Sequence, residues 1–230
     1  MSEIGLVDPL RPQGSEAAIA AAERALRRGD LVVLPTETVY GIACRPDDAG
    51  ATERLFDAKA RPRGLNLAVL AASEEEALSL ITPNSVAEAF ATALWPGPLT
   101  MVLRRSARSA TWALGEDPHT LGVRVPRLPL ARALLSRTGP LAVTSANRSG
   151  EAPADTTDGL LDAFGDSVAV YLTVAAGAST GSGEPSTVID VTEPPRIRLL
   201  RAGALTGKHL ADVLNASGPD PEWVDFPPWR

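Results

Sequence analysis

Two short polar segments carry the side chains best suited to chemistry on an anion. Lys59-Ala60-Arg61-Pro62 sets an ammonium and a guanidinium two residues apart, a point charge beside a planar donor fork. Thr144-Ser145-Ala146-Asn147-Arg148-Ser149-Gly150 sets a hydroxyl and a carboxamide two apart, neutral groups that both donate and accept beside a phosphate. A third segment, Pro35-Thr36-Glu37-Thr38-Val39-Tyr40-Gly41, directly follows the apolar run Leu31-Val32-Val33-Leu34. Its hydroxyls and aromatic ring therefore stand at a strand end, where open α/β sheets place their ligands.

Taken singly, these residues have plainer readings. Arg61 beside Pro62 suits a surface charge after a helix end, and Ser145-Ala146-Asn147 suits a turn. Arg124 is less easily set aside, because strand alternation puts it on the face opposite Val123 and Val125. Gly181-Ser182-Gly183 matches neither the Walker spacing nor the dinucleotide fingerprint and reads as a flexible connector. Cys44 follows Ile42 and Ala43 with no histidine partner in the pattern, so it reads as core. His119 and His209 are too isolated to suggest a metal centre.

The elements that must position these groups alternate. Ser15 to Arg28 carries Ala, Ile and Leu at helical spacing between Gly14-Ser15 and Gly29-Asp30. A strand at Leu31 to Leu34 comes next, then a helix at Ala51 to Lys59 with Leu55 and Phe56 inward. The pattern predicts a strand at Leu67 to Ala71, a helix at Glu74 to Leu80 capped by Ser73, and a helix at Ser85 to Leu94 stopped by Trp95-Pro96-Gly97-Pro98. Leu99 to Leu103 and Thr120 to Val125 read as strands, Leu130 to Arg137 as a helix and Leu141 to Thr144 as extended. Val168 to Val174, Thr187 to Val191 and Ile197 to Arg201 supply further strands. Such alternation predicts an α/β layer structure with a mixed sheet. Ala175 to Pro185 is the expected mobile loop, and Asn215 to Arg230 a Pro-rich tail with two of the four tryptophans.

The chain has 230 residues, 44% apolar and 22% charged, enough for a substantial core in one domain. A net charge of −6 argues against nucleic-acid binding through an overall basic surface and leaves a local basic cleft open. No signal peptide and no membrane-length apolar run is visible, and a single cysteine fits a reducing compartment, so the expected location is the cytoplasm.

Along the chain, the blocks Pro35 to Gly41, Lys59 to Pro62, Trp95 to Thr100, Val123 to Pro126, Thr144 to Gly150, Ser186 to Asp190 and Arg201-Ala202-Gly203 occur in an order that resembles the YrdC-type threonylcarbamoyl-AMP synthases. The resemblance runs from Ser15 to Thr206, and the joint occurrence of these blocks is far more specific than any one. It implies a twisted open mixed sheet flanked by helices, with a concave basic substrate cleft. It divides the chain into an extension at 1–14, a YrdC-like domain at 15–206, and a C-terminal helix and tail at 207–230.

The activity implied is synthesis of threonylcarbamoyl-AMP from L-threonine, bicarbonate or CO₂, and ATP with Mg²⁺, with release of pyrophosphate. A downstream transferase complex then uses that adenylate to modify adenosine 37 of tRNA. Carried over by motif, Lys59, Arg61, Ser145 and Asn147 are the catalytic set. Lys59, Arg61, Thr120, Ser145 and Arg201 would bind ATP, and Thr36, Thr38, Tyr40, Arg124 and Ser186 would bind threonine. Arg124 would pair with the amino-acid carboxylate, and Mg²⁺ would come with ATP, with no protein metal site. The chain departs from its relatives at Asn66, where proline is common, and at Leu70, where some carry a polar group, which bears on contacts by Arg63 and Asn66. Two other readings stand beside this one: a YciO-type paralogue with weak or different substrate use, and an RNA-binding protein using the same cleft.

Overall fold

A computed structural model of the chain describes residues 2–8, 10–175, 181–215 and 221–226. Strand β1 (Glu3–Leu6) leads through a 3-10 turn into α1 (Glu16–Arg27), β2 (Val32–Leu34), β3 (Gly41–Cys44), α2 (Ala49–Ala58), β4 (Ala68–Leu70), α3 (Glu74–Ser79) and α4 (Ser85–Leu94). Then come β5 (Leu99–Arg104), β6 (Thr120–Arg124), α5 (Pro129–Thr138), β7 (Leu141–Ser145), α6 (Thr157–Phe164), β8 (Val170–Thr173), β9 (Thr187–Asp190), β10 (Arg196–Arg201), α7 (Gly207–Asn215) and β11 (Glu222–Val224). Among the described residues the strands form one open mixed sheet, in the order β1-β8-β2-β3-β7-β4-β6-β5-β9-β10-β11.

Local chemistry fixes the helix ends. The side chains of Asp48, Ser73, Asn84 and Thr156 accept from the N–H groups of Ala51, Glu76, Ala87 and Gly159, each satisfying a donor that the first helical turn leaves open. Helix α4 stops at Trp95 because the following Pro96 pushes it into extended backbone, at φ −104° and ψ 139°. The helix expected at Ser85 to Leu94 therefore appears with those bounds.

Strand alternation sorts the sheet's side chains onto two faces. On one, Val33, Ile42, Val69, Met101, Val123, Tyr171 and Ile189 pack against Leu55 and Phe56 of α2, Phe90 of α4, Leu160 and Phe164 of α6, and Leu210 and Leu214 of α7. On the other, Val32, Leu34, Ala43, Leu141, Val143, Val170 and Leu172 pack against Ile19, Ala22 and Leu26 of α1 and Leu130, Leu134 and Leu135 of α5. The alternate positions of β4, β6, β5 and β9, from Ala68 to Val188, line a cavity on this second face.

Glu3–Leu6, within the expected extension, pairs with β8, and two stretches to which the sequence pattern assigns no element are ordered: Gly41–Cys44 pairs with β2 and β7, and Thr157–Phe164 is helical. In the tail, Glu222–Val224 adds an edge strand beside β10. Of the loop expected to be mobile, 176–180 lies outside the described residues, as do 216–220 and 227–230 of the tail. Its C-terminal part is not a slack connector: Ser182 and Gly183 donate backbone N–H groups to the carbonyls of Glu37 and Thr38 at 3.0 and 3.1 Å. A Cβ on Gly181 would lie 2.0 Å from the Glu37 carbonyl oxygen, so only glycine permits that approach.

Candidate active site

The cavity has a volume of about 450 Å³, within the range that holds a small-molecule ligand. Of the residues singled out from sequence, Thr36, Thr38, Tyr40, Arg61, Thr120, Arg124, Ser145, Ser186 and Arg201 line it, although they come from loops and strands spread over most of the chain. Lys59 and Asn147 do not. They sit one hydrogen bond behind the wall.

The end of α2 explains where Lys59 and Arg61 go. Arg61 donates its N–H to the carbonyl of Phe56 and Ala60 to that of Asp57, the paired bonds of a Schellman motif. Ala60 supplies the left-handed residue at φ 48°, a conformation that costs a non-glycine residue about 1 kcal/mol. The turn sends Lys59 inward, where it is 1% exposed, and swings Arg61 toward the cavity.

The Lys59 ammonium donates to the carbonyls of Ser145 and Asn147 and, at 3.2 Å, to Asn147 Oδ1. Its three hydrogens thus have three acceptors. Burial, helped by the nearby Arg61 charge, pushes its pKa down to about 8. Asn147 gives its amide hydrogens to the carbonyls of Arg148 and Glu151 and accepts at Oδ1 from Ser145 Oγ at 2.5 Å. Lys59 and Asn147 together lock the loop that presents Ser145.

Arg124 is held from three sides. Nε donates to Gly97 O at 3.0 Å, Nη1 to Thr38 Oγ1 at 3.0 Å and Nη2 to Glu37 Oε1 at 2.6 Å. Burial alone would raise the Glu37 pKa; the charge and hydrogen bond of Arg124 outweigh it and hold the carboxyl below its ordinary value. The two threonines can now be told apart. Thr36 gives its hydrogen to Val39 O at 2.6 Å, so in the 2.8 Å contact between the hydroxyls Thr38 is the donor. Thr38 Oγ1, accepting from Arg124, keeps one lone pair for a ligand.

Ser186 Oγ meets Thr100 Oγ1 at 2.8 Å, and Arg201 donates to the Ser186 carbonyl and hydroxyl at 2.9 Å. Arg61 donates to the carbonyls of Leu65 and Asn66 at 2.8 and 3.1 Å. Burial lowers the pKa of both arginines, and for Arg201 the charges of Arg124 and Arg61 add to it. Neither forms an ion pair with a carboxylate among the described residues, so their charge is left for a ligand. Tyr40 lies in the wall with its hydroxyl accepting from Val174 N–H at 3.2 Å.

Sequence reasoning missed Glu37, Thr100 and Asp117. Thr100 and Asp117 line the cavity and Glu37 stands behind Arg124. Thr100 alternates with the buried Leu99 and Met101, a signal present in the sequence. Nothing local couples Glu37 to a residue 87 positions away.

One face of the α/β sheet thus gathers three guanidiniums and several hydroxyls around one cavity. The chain belongs to the Sua5/YciO/YrdC family, whose model, described as telomere recombination, matches residues 24–203. It is 36% identical over 172 residues to a threonylcarbamoyl-AMP synthase of Vibrio parahaemolyticus, covering 72% of this chain and 90% of the relative. The crystal structure of Pyrococcus abyssi Sua5 complexed with L-threonine superposes with a TM-score of 0.78 at 29% identity, over 99% of this chain and 65% of that one. Escherichia coli YciO superposes with a TM-score of 0.82 at 26% identity, over 91% of this chain and all of its own. Among the described residues no helix is long and apolar enough to cross a membrane.

Proposed function

We propose that this protein joins L-threonine, CO₂ or bicarbonate, and ATP into threonylcarbamoyl-AMP, releasing pyrophosphate. The observation that carries the reading is the cavity wall, where Arg61 and Arg201, without carboxylate partners among the described residues, stand beside Ser145, Ser186 and Thr38. Relatives that share most of this chain carry the synthase name, and one solved relative holds L-threonine.

The chemistry suits such a wall. The threonine nitrogen bonds to the carbon of CO₂ and loses a proton, giving a carbamate. A carbamate oxygen then bonds to the α-phosphorus while the bond to pyrophosphate breaks, and the electron pair leaves with the pyrophosphate. The reactants are both anionic, so the protein's task is to hold them together and stabilise charge on the phosphates. In this reading Arg61 and Arg201 take the phosphates, and the Ser145 hydroxyl exchanges its bond to Asn147 Oδ1 for one to an oxygen there. Lys59 and Asn147 hold Ser145 in place. Arg124 keeps unused N–H groups for the threonine carboxylate, beside the open lone pair of Thr38 and the hydroxyl of Ser186, with Tyr40 as side wall.

Magnesium enters with ATP, held by phosphate oxygens and water as this ion often is. The wall offers it one carboxylate, Asp117, and among the described residues no three His, Cys, Asp or Glu side chains gather as a metal site. The adenylate would pass to a tRNA-modifying complex in the cytoplasm.

The test is pyrophosphate release from ATP with and without L-threonine and bicarbonate, serine as control, and the product identified by mass. Threonine-dependent release with the threonylcarbamoyl-AMP mass is expected. ATP binding without that product moves the protein to the YciO-like reading, and salt-sensitive RNA binding without turnover moves it to an RNA-binding one.

A further inference from the structure

Asp117 is the one carboxylate on the cavity wall among the described residues, in a wall otherwise bearing three guanidiniums. A negative group there repels phosphates, so it must face another part of the ligand. Its two oxygens already accept from the His119 N–H at 2.8 Å and from the Thr120 hydroxyl. Those bonds hold its pKa below the ordinary carboxyl value, with the Thr120 bond the largest cause, and leave lone pairs open. Thr120, having given its hydrogen to Asp117, presents only lone pairs as well. The spot is all acceptor. It fits groups that donate, such as hydroxyls.

The loop that carries Asp117 is fixed by Asn66. The Asn66 side chain donates Nδ2–H to the Asp117 carbonyl at 2.8 Å and accepts the Asp117 N–H at 3.3 Å, bracketing a single peptide position from both sides. Arg105 adds a bond to the same carbonyl at 3.1 Å. Gly115 lets the loop close on this brace, because at φ +140° a Cβ would lie 2.2 Å from Asn66 Oδ1. Asn66 also accepts at its own carbonyl from Arg61, so the phosphate-facing guanidinium and the carboxylate are tied through one residue.

Position along the sheet selects the hydroxyls. Strand β6 runs from Thr120 to Arg124, five residues whose ends lie about 13 Å apart, with both ends in the cavity. If the amino acid lies at Arg124 and the phosphates at Arg61 and Arg201, the Thr120 end meets the sugar, the part of a nucleotide bonded to its phosphates. Leu65 and Leu200, half exposed, also line the cavity and offer an apolar surface to a flat base.

We propose that Asp117, positioned by Asn66 and assisted by Thr120, accepts hydrogen bonds from the ribose hydroxyls of the nucleotide and so makes the site select ribonucleotides. This rests on the nucleotide-using function proposed above. The test is direct binding of ATP, 2′,3′-dideoxy-ATP and ITP by calorimetry without threonine, so it does not depend on turnover. The parent protein is expected to bind ATP at least tenfold more tightly than the dideoxy analogue, as a charge-assisted hydrogen bond implies. Asp117→Ala removes that preference by weakening ATP alone, Asp117→Asn restores part of it, and Asn66→Ala moves it in the same direction. Thr120→Val tests the same spot should the Asp117 variants fold poorly.

ATP binding with no discrimination by sugar in the parent protein overturns this assignment and leaves the proposed function standing. No ATP binding at all overturns both. An Asp117 effect on ATP against ITP assigns the carboxylate to the base, and one rescued by raising Mg²⁺ assigns it to the metal; either overturns the ribose assignment.

Discussion

Glu37 and Arg124, 87 residues apart in the chain, meet at 2.6 Å with only 15% and 7% of their side chains exposed. The second Glu37 oxygen accepts the Leu128 N–H at 3.3 Å at the start of α5, so one carboxylate joins the cavity wall to the helix that covers the adjoining part of the same sheet. Removing it leaves a guanidinium charge out of water with no counter-ion. Glu37→Ala is expected to cost about 3 kcal/mol in urea denaturation, and the double variant with Arg124→Met less than the sum of the two singles. Additive losses would show that the two groups do not act as a pair.

The same pair sets an acid limit. The folded Glu37 pKa lies below the ordinary 4.5, so its contribution is present above that value and is lost as pH falls through the folded pKa. The stability difference between the parent and Glu37→Gln is expected to be constant at neutral pH and to shrink below 4.5. A difference that stays flat to pH 3 removes the linkage.

Lys59 predicts opposite pH trends for stability and activity. Its pKa falls from 10.5 to about 8 on folding, so between those values the unfolded chain binds the extra proton and this group's contribution to stability rises with pH. Over the same interval the ammonium that clamps Ser145 and Asn147 loses a proton. Turnover is therefore expected to decline above pH 8, with the decline absent in Lys59→Met, whose basal rate is already at least tenfold down. A parent profile flat to pH 10 rules out the clamp as a charged one.

Much of the architecture is legible because the signals are local. Helix α4 has its Asn84 cap and its Pro96 stop in the sequence, and the alternation Val123-Arg124-Val125 puts Arg124 on the cavity face before any coordinates. Other parts are illegible because local signals are short or partners are distant. Strand β3 is four non-polar residues buried on both faces, with no polar alternation to announce it, and β1 is a short edge strand whose Ile4 and Leu6 stay exposed. Helix α6 does carry a signal, the Thr156 cap before Leu160, Leu161 and Phe164, that a propensity reading passes over. In the site, motif resemblance picks out residues that share one cavity but not their depth: that Lys59 lies behind Ser145 comes from a left-handed Ala60 no propensity scale foresees. The Asn66 departure makes sense only once Asp117 is seen beside it.

Gly181→Ala tests the clip between the two loops. The added methyl would collide with the Glu37 carbonyl and part the Ser182 and Gly183 bonds from the backbone that carries Thr38. Threonine KM is expected to rise several-fold with ATP affinity unchanged, because Arg61 and Arg201 do not depend on that contact. Equal losses for both substrates would mean the clip supports the whole cavity.

Arg124→Lys separates charge from geometry. Lysine keeps a cation for Glu37, yet one ammonium on a flexible stem cannot span Gly97 O, Thr38 Oγ1 and Glu37 Oε1 and still offer a planar fork to an incoming carboxylate. Losing a bidentate pair and keeping the ion pair should leave the fold within about 1 kcal/mol of the parent and raise threonine KM tenfold or more, with ATP KM close to its original value. Because the phosphates are assigned to Arg61 and Arg201, Arg61→Ala is expected to do the reverse, lowering kcat at least tenfold with a smaller effect on threonine. Steady-state kinetics with each substrate varied in turn checks both. An unchanged threonine dependence in Arg124→Lys would remove the carboxylate from that end of the cavity, and with it the direction in which the substrate chain is laid along β6.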